Sequence, residues 1–95
     1  MHRVLVLGAG KIGALLEEVD EAVAVETCFD DSPCASAGMR RGDRITSIDD
    51  AAISNLTELR LAMWYRQPGD TIQLGILRPR LLLKDKVMTH EITLK

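Results

Sequence analysis

The alternation of hydrophobic and polar residues predicts that most of this chain forms β-strands. Five segments have the short, β-branched or alternating composition of strands and are bounded by turn-forming residues. They are residues 3–7, 23–29, 44–48, 71–77 and 87–94. Residues 14–18 fit either a strand or a helix, and residues 79–85 fit a loop or hairpin. The odd spacing of Ile45 and Ile48 indicates a bend or bulge in the third strand.

Two segments carry helix signals. Residues 30–33 place a capping side chain before a proline suited to the first helical position, and Gly38 ends this short helix. A longer helix is predicted from Ser54 to about Arg66, before the Pro68-Gly69-Asp70 turn. Its three- and four-residue spacing puts one set of residues on a single face, namely Leu56, Leu59, Ala62, Met63 and Arg66. The strands and the two helices together predict the α+β class.

Composition narrows the possible functions. Hydrophobic residues make up 46% of the 95 residues, which predicts one small globular domain spanning residues 1–95. The net charge is −2, and the absence of a basic stripe with interleaved aromatics argues against a nucleic-acid partner. The apolar runs are too short for a membrane span, so we expect no membrane contact, and the first residues lack the pattern of a signal peptide.

The chain offers little catalytic or metal-binding chemistry. His2 and His90 lie near opposite ends without ligand spacing, so no metal site is expected. Neither histidine has an adjacent acid in a plausible triad order, and we expect neither enzyme activity nor a cofactor. Cys28 and Cys34 are the only cysteines. They fit two separate buried residues, in a strand and in a helix, which is the expectation we favour, but a disulfide between them is also possible.

One motif points to a different function. Residues 4–13 read as a strand followed by G-x-G-x-x-G, the pattern in which glycines let a pyrophosphate approach a helix N-terminus. The crossover helix would have to fit between Lys11 and about Asp20, which is shorter than a normal βαβ unit. Nothing after Asp31 supplies further units of that kind. A fragment of a dinucleotide-binding oxidoreductase is therefore a remote alternative.

Residues 32–45, SPCASAGMRRGDRI, resemble the "SPA-x-x-AGL-x-x-GD-x-I" run of bacterial PDZ domains. Residues 49–53, 59–63 and 68–74 with Arg78 resemble the later motifs of that family in the same order. The resemblance covers residues 12–94. It implies a small curled antiparallel sheet of five to six strands with one short and one longer helix. Such domains occur beside trypsin-like quality-control proteases and in envelope lipoproteins, so it also implies a fragment of a larger protein of the cell envelope or periplasm.

The resemblance further implies a peptide-binding site. Lys11-Ile12-Gly13-Ala14 fits the loop that holds a terminal carboxylate with main-chain N–H groups, and Ala14-Leu15-Leu16 fits the strand that pairs with the peptide. The helix wall would come from Leu59, Ala62, Met63 and Arg66. The implied partners are peptides or protein C-termini with apolar ends, or a neighbouring domain of the same chain.

Several of these roles have alternatives. Lys11 is either a solvated loop residue or an electrostatic aid to the carboxylate, and Ile12 either floors the pocket or belongs to the core. Leu59 and Met63 are also ordinary core positions. Four residues depart from the family pattern: Ile12 replaces the commoner leucine, Cys34 replaces alanine, Asp50 replaces a turn glycine, and Ala14 is small for its position. A structural brace between domains is the alternative function, favoured if residues 82–94 fill the groove.

Overall fold

The computed structural model describes residues 3–7, by their main chain, and residues 12–94. The strands are β1 (Arg3–Leu7), β2 (Ala14–Val19), β3 (Ala22–Cys28), β4 (Arg44–Ile48), β5 (Ala51–Ala52), β6 (Thr71–Arg78) and β7 (Lys86–Thr93). The helices are α1 (Pro33–Ser36) and α2 (Leu56–Met63). The predicted α+β class is confirmed.

The strands form one antiparallel sheet in the order β1-β2-β3-β4-β6-β7, with the two-residue β5 paired to β4. β1 and β7 therefore lie at opposite ends of the strand order. The pairing of β4 with β6 shifts register between Ile45 and Ser47, which confirms the predicted irregularity in that strand.

Residues 14–18 belong to a strand, which resolves the ambiguity left by their sequence. β2 continues into β3 through a tight turn in which Asp20 and Glu21 both have positive φ, as a type I′ hairpin turn requires. β1 and β2 are antiparallel neighbours. A dinucleotide-binding βαβ unit needs parallel strands joined through a helix, so the oxidoreductase alternative is wrong.

The helix starts follow the predicted capping chemistry. Ser32 caps α1 through its Oγ, which accepts a hydrogen bond from the Ala35 N–H at 3.1 Å. Asn55 caps α2 by accepting from the N–H of Glu58 at 2.8 Å. The end of α2 differs from the prediction, because the helix stops at Met63 instead of Arg66. The N–H of Arg66 bonds to the oxygen of Met63, three residues back, so the chain tightens into a turn before the proline.

The core is aliphatic and lies between the sheet and α2. Alternate residues of β6, namely Ile72, Leu74 and Ile76, are fully buried, as strict alternation predicts. α2 buries Leu56, Leu59 and Met63 against the same cluster. This packing fixes the position of α2 relative to the sheet.

Candidate functional site

β2 has two hydrogen-bonding edges, and different strands lie along them. One edge pairs with β3, which follows it in the chain. The other pairs antiparallel with β1, with Leu7 opposite Ala14, Leu5 opposite Leu16 and Arg3 opposite Glu18. The edge facing β1 is the one on which an added peptide strand would lie if residues 14–16 form the pairing strand.

The loop before β2 has its peptide groups oriented by the segment from Phe29 to Cys34. The N–H of Cys34 donates to the oxygen of Ile12 at 3.0 Å, and the N–H of Phe29 donates to the oxygen of Gly13 at 3.0 Å. In a trans peptide the C=O and the following N–H point in opposite directions, and the described chain contains no cis bond. The N–H groups of Gly13 and Ala14 therefore point away from this segment, and that of Ala14 points towards β1. Two successive N–H groups so directed are suited to binding an anion.

Gly13 makes this arrangement possible in two ways. Its φ of +74° is a conformation that other residues adopt only with strain. A Cβ atom on Gly13 would also collide with the Cβ of Ser32, the residue that caps α1. The glycine thus lets the loop lie directly against the start of α1.

A disulfide joins Cys28 to Cys34. The expectation of two separate buried cysteines was therefore wrong, and the alternative of a bridge is correct. The bridge closes the segment that contains both donors, the N–H groups of Phe29 and Cys34. It consequently braces the part of the chain that orients the loop before β2. The six-residue separation is compatible with a bridge, but two cysteines at this spacing do not by themselves distinguish bridged from free thiols.

Glu18 helps to position the two elements of the candidate site, β2 and α2, and the sequence analysis did not identify it. Its Oε1 accepts a hydrogen bond from the N–H of Leu56 at 2.9 Å, so β2 is tied to the first turn of α2. The first N–H groups of a helix have no partner within it, and this carboxylate satisfies one of them. No local signal reveals the contact, because 38 residues separate the two partners.

The structure brings five of the ten predicted binding residues into the core. Ile12, Ala14 and Leu16 are fully buried in the cluster that also contains Leu59 and Met63. Ile12, Leu59 and Met63 thus lie in the core, and their part in peptide binding stays a prediction. Ala62 is partly buried against this cluster, and Leu15 is half-buried on the opposite face of β2. Lys11 lies outside the described residues.

Arg66 is committed to a structural contact. Its Nη2 donates to the Oδ2 of Asp49 at 2.6 Å, and its guanidinium lies 5.2 Å from the centre of the Tyr65 ring. The Oδ1 of Asp49 accepts from the N–H of Gln73 at 2.9 Å. These contacts hold Arg66, which follows α2, against the turn after β4, and its predicted role in a peptide-binding wall stays a prediction.

Asp43 anchors the strongest polar cluster in the described residues. It is 1% exposed, and its carboxylate accepts from Arg78 Nε at 2.8 Å, from Arg78 Nη2 at 2.7 Å and from the Arg40 N–H at 2.9 Å. Burial raises the pKa of Asp43, but the hydrogen bonds from Arg78 and Arg40 and the charge of Arg78 outweigh it, so the pKa lies below its ordinary value. Arg78 Nη2 also contacts the oxygen of Gly38 at 3.3 Å. The cluster holds α1, β4 and β6 together and is structural.

Comparison with known proteins agrees with this architecture. The family model described as the PDZ domain matches residues 10–94. The chain belongs to the PDZ family. This PDZ domain is a non-catalytic, peptide-binding module. The motif that best resembles the family contains Asp43, and its contacts stabilise the fold.

The relatives of this PDZ domain include proteases. It is 33% identical over 64 residues to a serine protease Do-like HtrA of Lactococcus lactis subsp. lactis strain IL1403, covering 67% of this chain and 16% of that protein. The structure is similar to an aminopeptidase N family protein from Idiomarina loihiensis, with TM-score 0.77, 25% identity, and coverage of 92% of this chain and 14% of that chain. The chain spans only about a sixth of the length of the curated relatives it matches.

A further similar structure was solved with a ligand. It is the PDZ domain of a carboxy-terminal protease from Vibrio cholerae in complex with a peptide, with TM-score 0.65 and 18% identity, and the match covers 98% of this chain and 96% of that chain. This likeness confirms the PDZ fold. Within the residues described, no helix has the length and apolar character needed to cross a membrane.

Proposed function

We propose that this PDZ domain binds extended apolar segments, and C-terminal segments best, by strand addition to β2. The observation that carries the proposal is the orientation of the Gly13 and Ala14 N–H groups, which point away from residues 29–34 at the start of β2. A peptide running antiparallel to β2 would end opposite Ala14. Its terminal carboxylate would then accept charge-assisted hydrogen bonds from these two groups.

The remaining affinity would come from main-chain pairing along β2. Strand addition takes its affinity from main-chain hydrogen bonds, and alternate side chains supply the specificity. β2 already pairs on this edge with an extended segment, β1, which supports its capacity for such pairing. The neighbouring core is apolar, which favours apolar over charged ligand side chains.

A synthetic peptide tests the proposal directly. Arg-Val-Leu-Val-Leu, the sequence of residues 3–7, has the extended apolar character that pairs with β2 and is prepared with a free or an amidated C-terminus. We expect the free acid to shift the backbone amide NMR signals of Gly13, Ala14 and Leu16. Amidation should weaken binding by about tenfold or more, because it removes the charge from the hydrogen-bonded end. Equal binding of the two forms would contradict capture of the carboxylate.

If the domain is a structural brace, a segment other than residues 82–94 would have to fill its groove. Residues 86–93 form β7, which pairs with β6 at the opposite end of the strand order from β2. This part of the tail therefore does not cover the edge of β2.

We further propose that the domain works as one unit of a longer protein, beside a protease domain, since a relative with this PDZ region is a serine protease.

A further inference from the structure

β1 covers the edge of β2 to which the proposed peptide would bind. The five residues of β1 pair antiparallel with β2 from Leu7 opposite Ala14 to Arg3 opposite Glu18. An added peptide would have this same direction and end at this same residue of β2. β1 also lies outside residues 10–94, which the PDZ family model matches. β1 therefore occupies the edge of β2 that a ligand strand would use.

β1 differs from a C-terminal ligand in one chemical respect. The chain continues beyond Leu7 towards Gly13, so the position opposite Ala14 holds a peptide group and carries no carboxylate. β1 can use the main-chain edge of β2 but lacks the charged end to which the N–H groups of Gly13 and Ala14 are suited. A peptide with a free C-terminus therefore has an interaction available that β1 does not.

We infer that β1 is an intramolecular competitor for the peptide-binding edge of β2, an inference that rests on the proposed function. An external peptide would bind by displacing residues 3–7. β1 and β2 belong to one chain and are close in sequence, and a short covalent connection gives an effective concentration in about the millimolar range. Among the strands that the structure describes, β1 pairs with β2 alone, so its displacement breaks that pairing and leaves the rest of the sheet paired.

The geometry distinguishes two kinds of position within β1. The N–H of Ala14 points towards β1, so the pair formed by Leu7 and Ala14 is a hydrogen-bonded one. Hydrogen-bonded and non-bonded pairs alternate along an antiparallel ladder. The N–H of Leu5 therefore faces Leu16 of β2, whereas the N–H of Val4 faces away from β2. Proline at these two positions gives a matched pair of variants, because both restrict the chain but only one removes a bond to β2.

The test compares the whole chain with its Leu5→Pro and Val4→Pro variants, using the free-acid Arg-Val-Leu-Val-Leu peptide as the probe. We expect Leu5→Pro to bind the peptide at least about fivefold more tightly than the unaltered chain, the factor that one main-chain hydrogen bond is worth. Val4→Pro should change the affinity by less. Amide hydrogen exchange at Ala14 and Leu16 should accelerate in Leu5→Pro and slow again when the peptide is added.

The outcomes separate this inference from the function on which it rests. Equal, measurable affinity in all three proteins would overturn competition by β1 and leave peptide binding intact. A folded Leu5→Pro variant, identified by dispersed NMR signals outside β1 and β2, that binds no peptide would overturn the proposed function itself. If Leu5→Pro fails to fold, a Leu5→Asp variant weakens the apolar segment without proline, and the same comparison applies.

Discussion

At Gly13 the chain needs a residue without a side chain for two separate reasons, a positive φ and close contact with Ser32. We expect Gly13→Ala to lower the free energy of unfolding by about 2–4 kcal/mol, since it adds a collision to the cost of a left-handed backbone. Peptide binding should be lost with it, because the N–H groups of Gly13 and Ala14 would be displaced. Urea unfolding and the peptide titration measure the two effects.

Gly69→Ala is the matched control for this prediction. Gly69 also has a positive φ, of +94°, but a Cβ there would meet no atom within 4 Å. We expect it to cost about 1–2 kcal/mol of stability, from the backbone alone, and to leave peptide affinity unchanged. A Gly13→Ala variant that binds peptide as well as Gly69→Ala would contradict the proposed role of the loop.

Asp43 makes stability depend on pH in the acid range. Its pKa in the folded protein lies below that in the unfolded chain, so its stabilising effect is fully present above the unfolded pKa, about 3.9. The effect is lost as the pH falls through the lower, folded pKa. We expect Asp43→Asn to lower the free energy of unfolding by about 2–4 kcal/mol near pH 7, because it leaves Arg78 without its buried anion. Thermal unfolding between pH 2 and pH 7 measures both.

Asp70→Asn is the control that shows how much stability is lost when an exposed turn aspartate is replaced. Asp70 also accepts a backbone N–H, that of Gln67 at 2.9 Å, but this contact is exposed. Its replacement should cost less than about 1 kcal/mol. If Asp43→Asn loses stability towards low pH as steeply as the unaltered chain does, Asp43 is not a source of that dependence.

At the scale of elements, the disulfide links stability to the proposed site. Replacing both Cys28 and Cys34 with alanine should lower the free energy of unfolding by about 2 kcal/mol, the loop-closure value for so short a loop. It should also weaken peptide binding, because the N–H groups of Phe29 and Cys34 hold the carbonyls of Ile12 and Gly13 in place. Chemical unfolding and the peptide titration check these two effects.

A dithiol reductant supplies the control for the disulfide prediction. Dithiothreitol should weaken peptide binding to the unaltered chain and leave the double alanine variant unchanged. Cys34 is also where the bacterial family pattern has alanine, so the variant carries the usual residue at that position. Binding that is insensitive both to the reductant and to the double substitution would show that the bridge does not support the loop.

The helices and strands themselves were largely predictable from local signals. The cap at Ser32, the proline at the first position of α1 and the alternation in β6 are short-range features, and each element formed where its signal lies. The end of α2 lies three residues before the predicted one, because the three- and four-residue spacing of one helix face continues to Arg66. Arg66 forms an ion pair with Asp49, which lies outside the helix, and the spacing of residues within a helix does not predict such a contact.

At the scale of the whole molecule, the burial pattern predicts which leucines contribute most to the free energy of unfolding. Leu59 is fully buried, whereas Leu82 is 90% exposed in the segment between β6 and β7. We expect Leu59→Ala to cost about 2–5 kcal/mol, from lost burial and the remaining cavity. Leu82→Ala should change stability by less than about 0.5 kcal/mol. Urea unfolding distinguishes the two, and similar losses would contradict the burial described for this sheet and helix.

The candidate site was predictable only in part. The glycine at position 13 and the strand that follows it could be located from the motif, because a turn that presents N–H groups needs such a residue. Glu18 could not be found, since its contact with Leu56 joins residues distant in the chain. Ile12, Ala14 and Leu16 are apolar whether they line a pocket or fill the core, so their sequence alone does not distinguish the two roles.

The sequence by itself determined the class of fold, the positions of its turns and the PDZ motif built around Asp43. These depend on alternation, capping and turn chemistry, which act between residues close together in the chain. Tertiary structure alone decided that Cys28 pairs with Cys34 and that β1 lies along β2. An exposed strand edge offers main-chain hydrogen bonds to any extended segment, so its occupant depends on which segment the fold brings there.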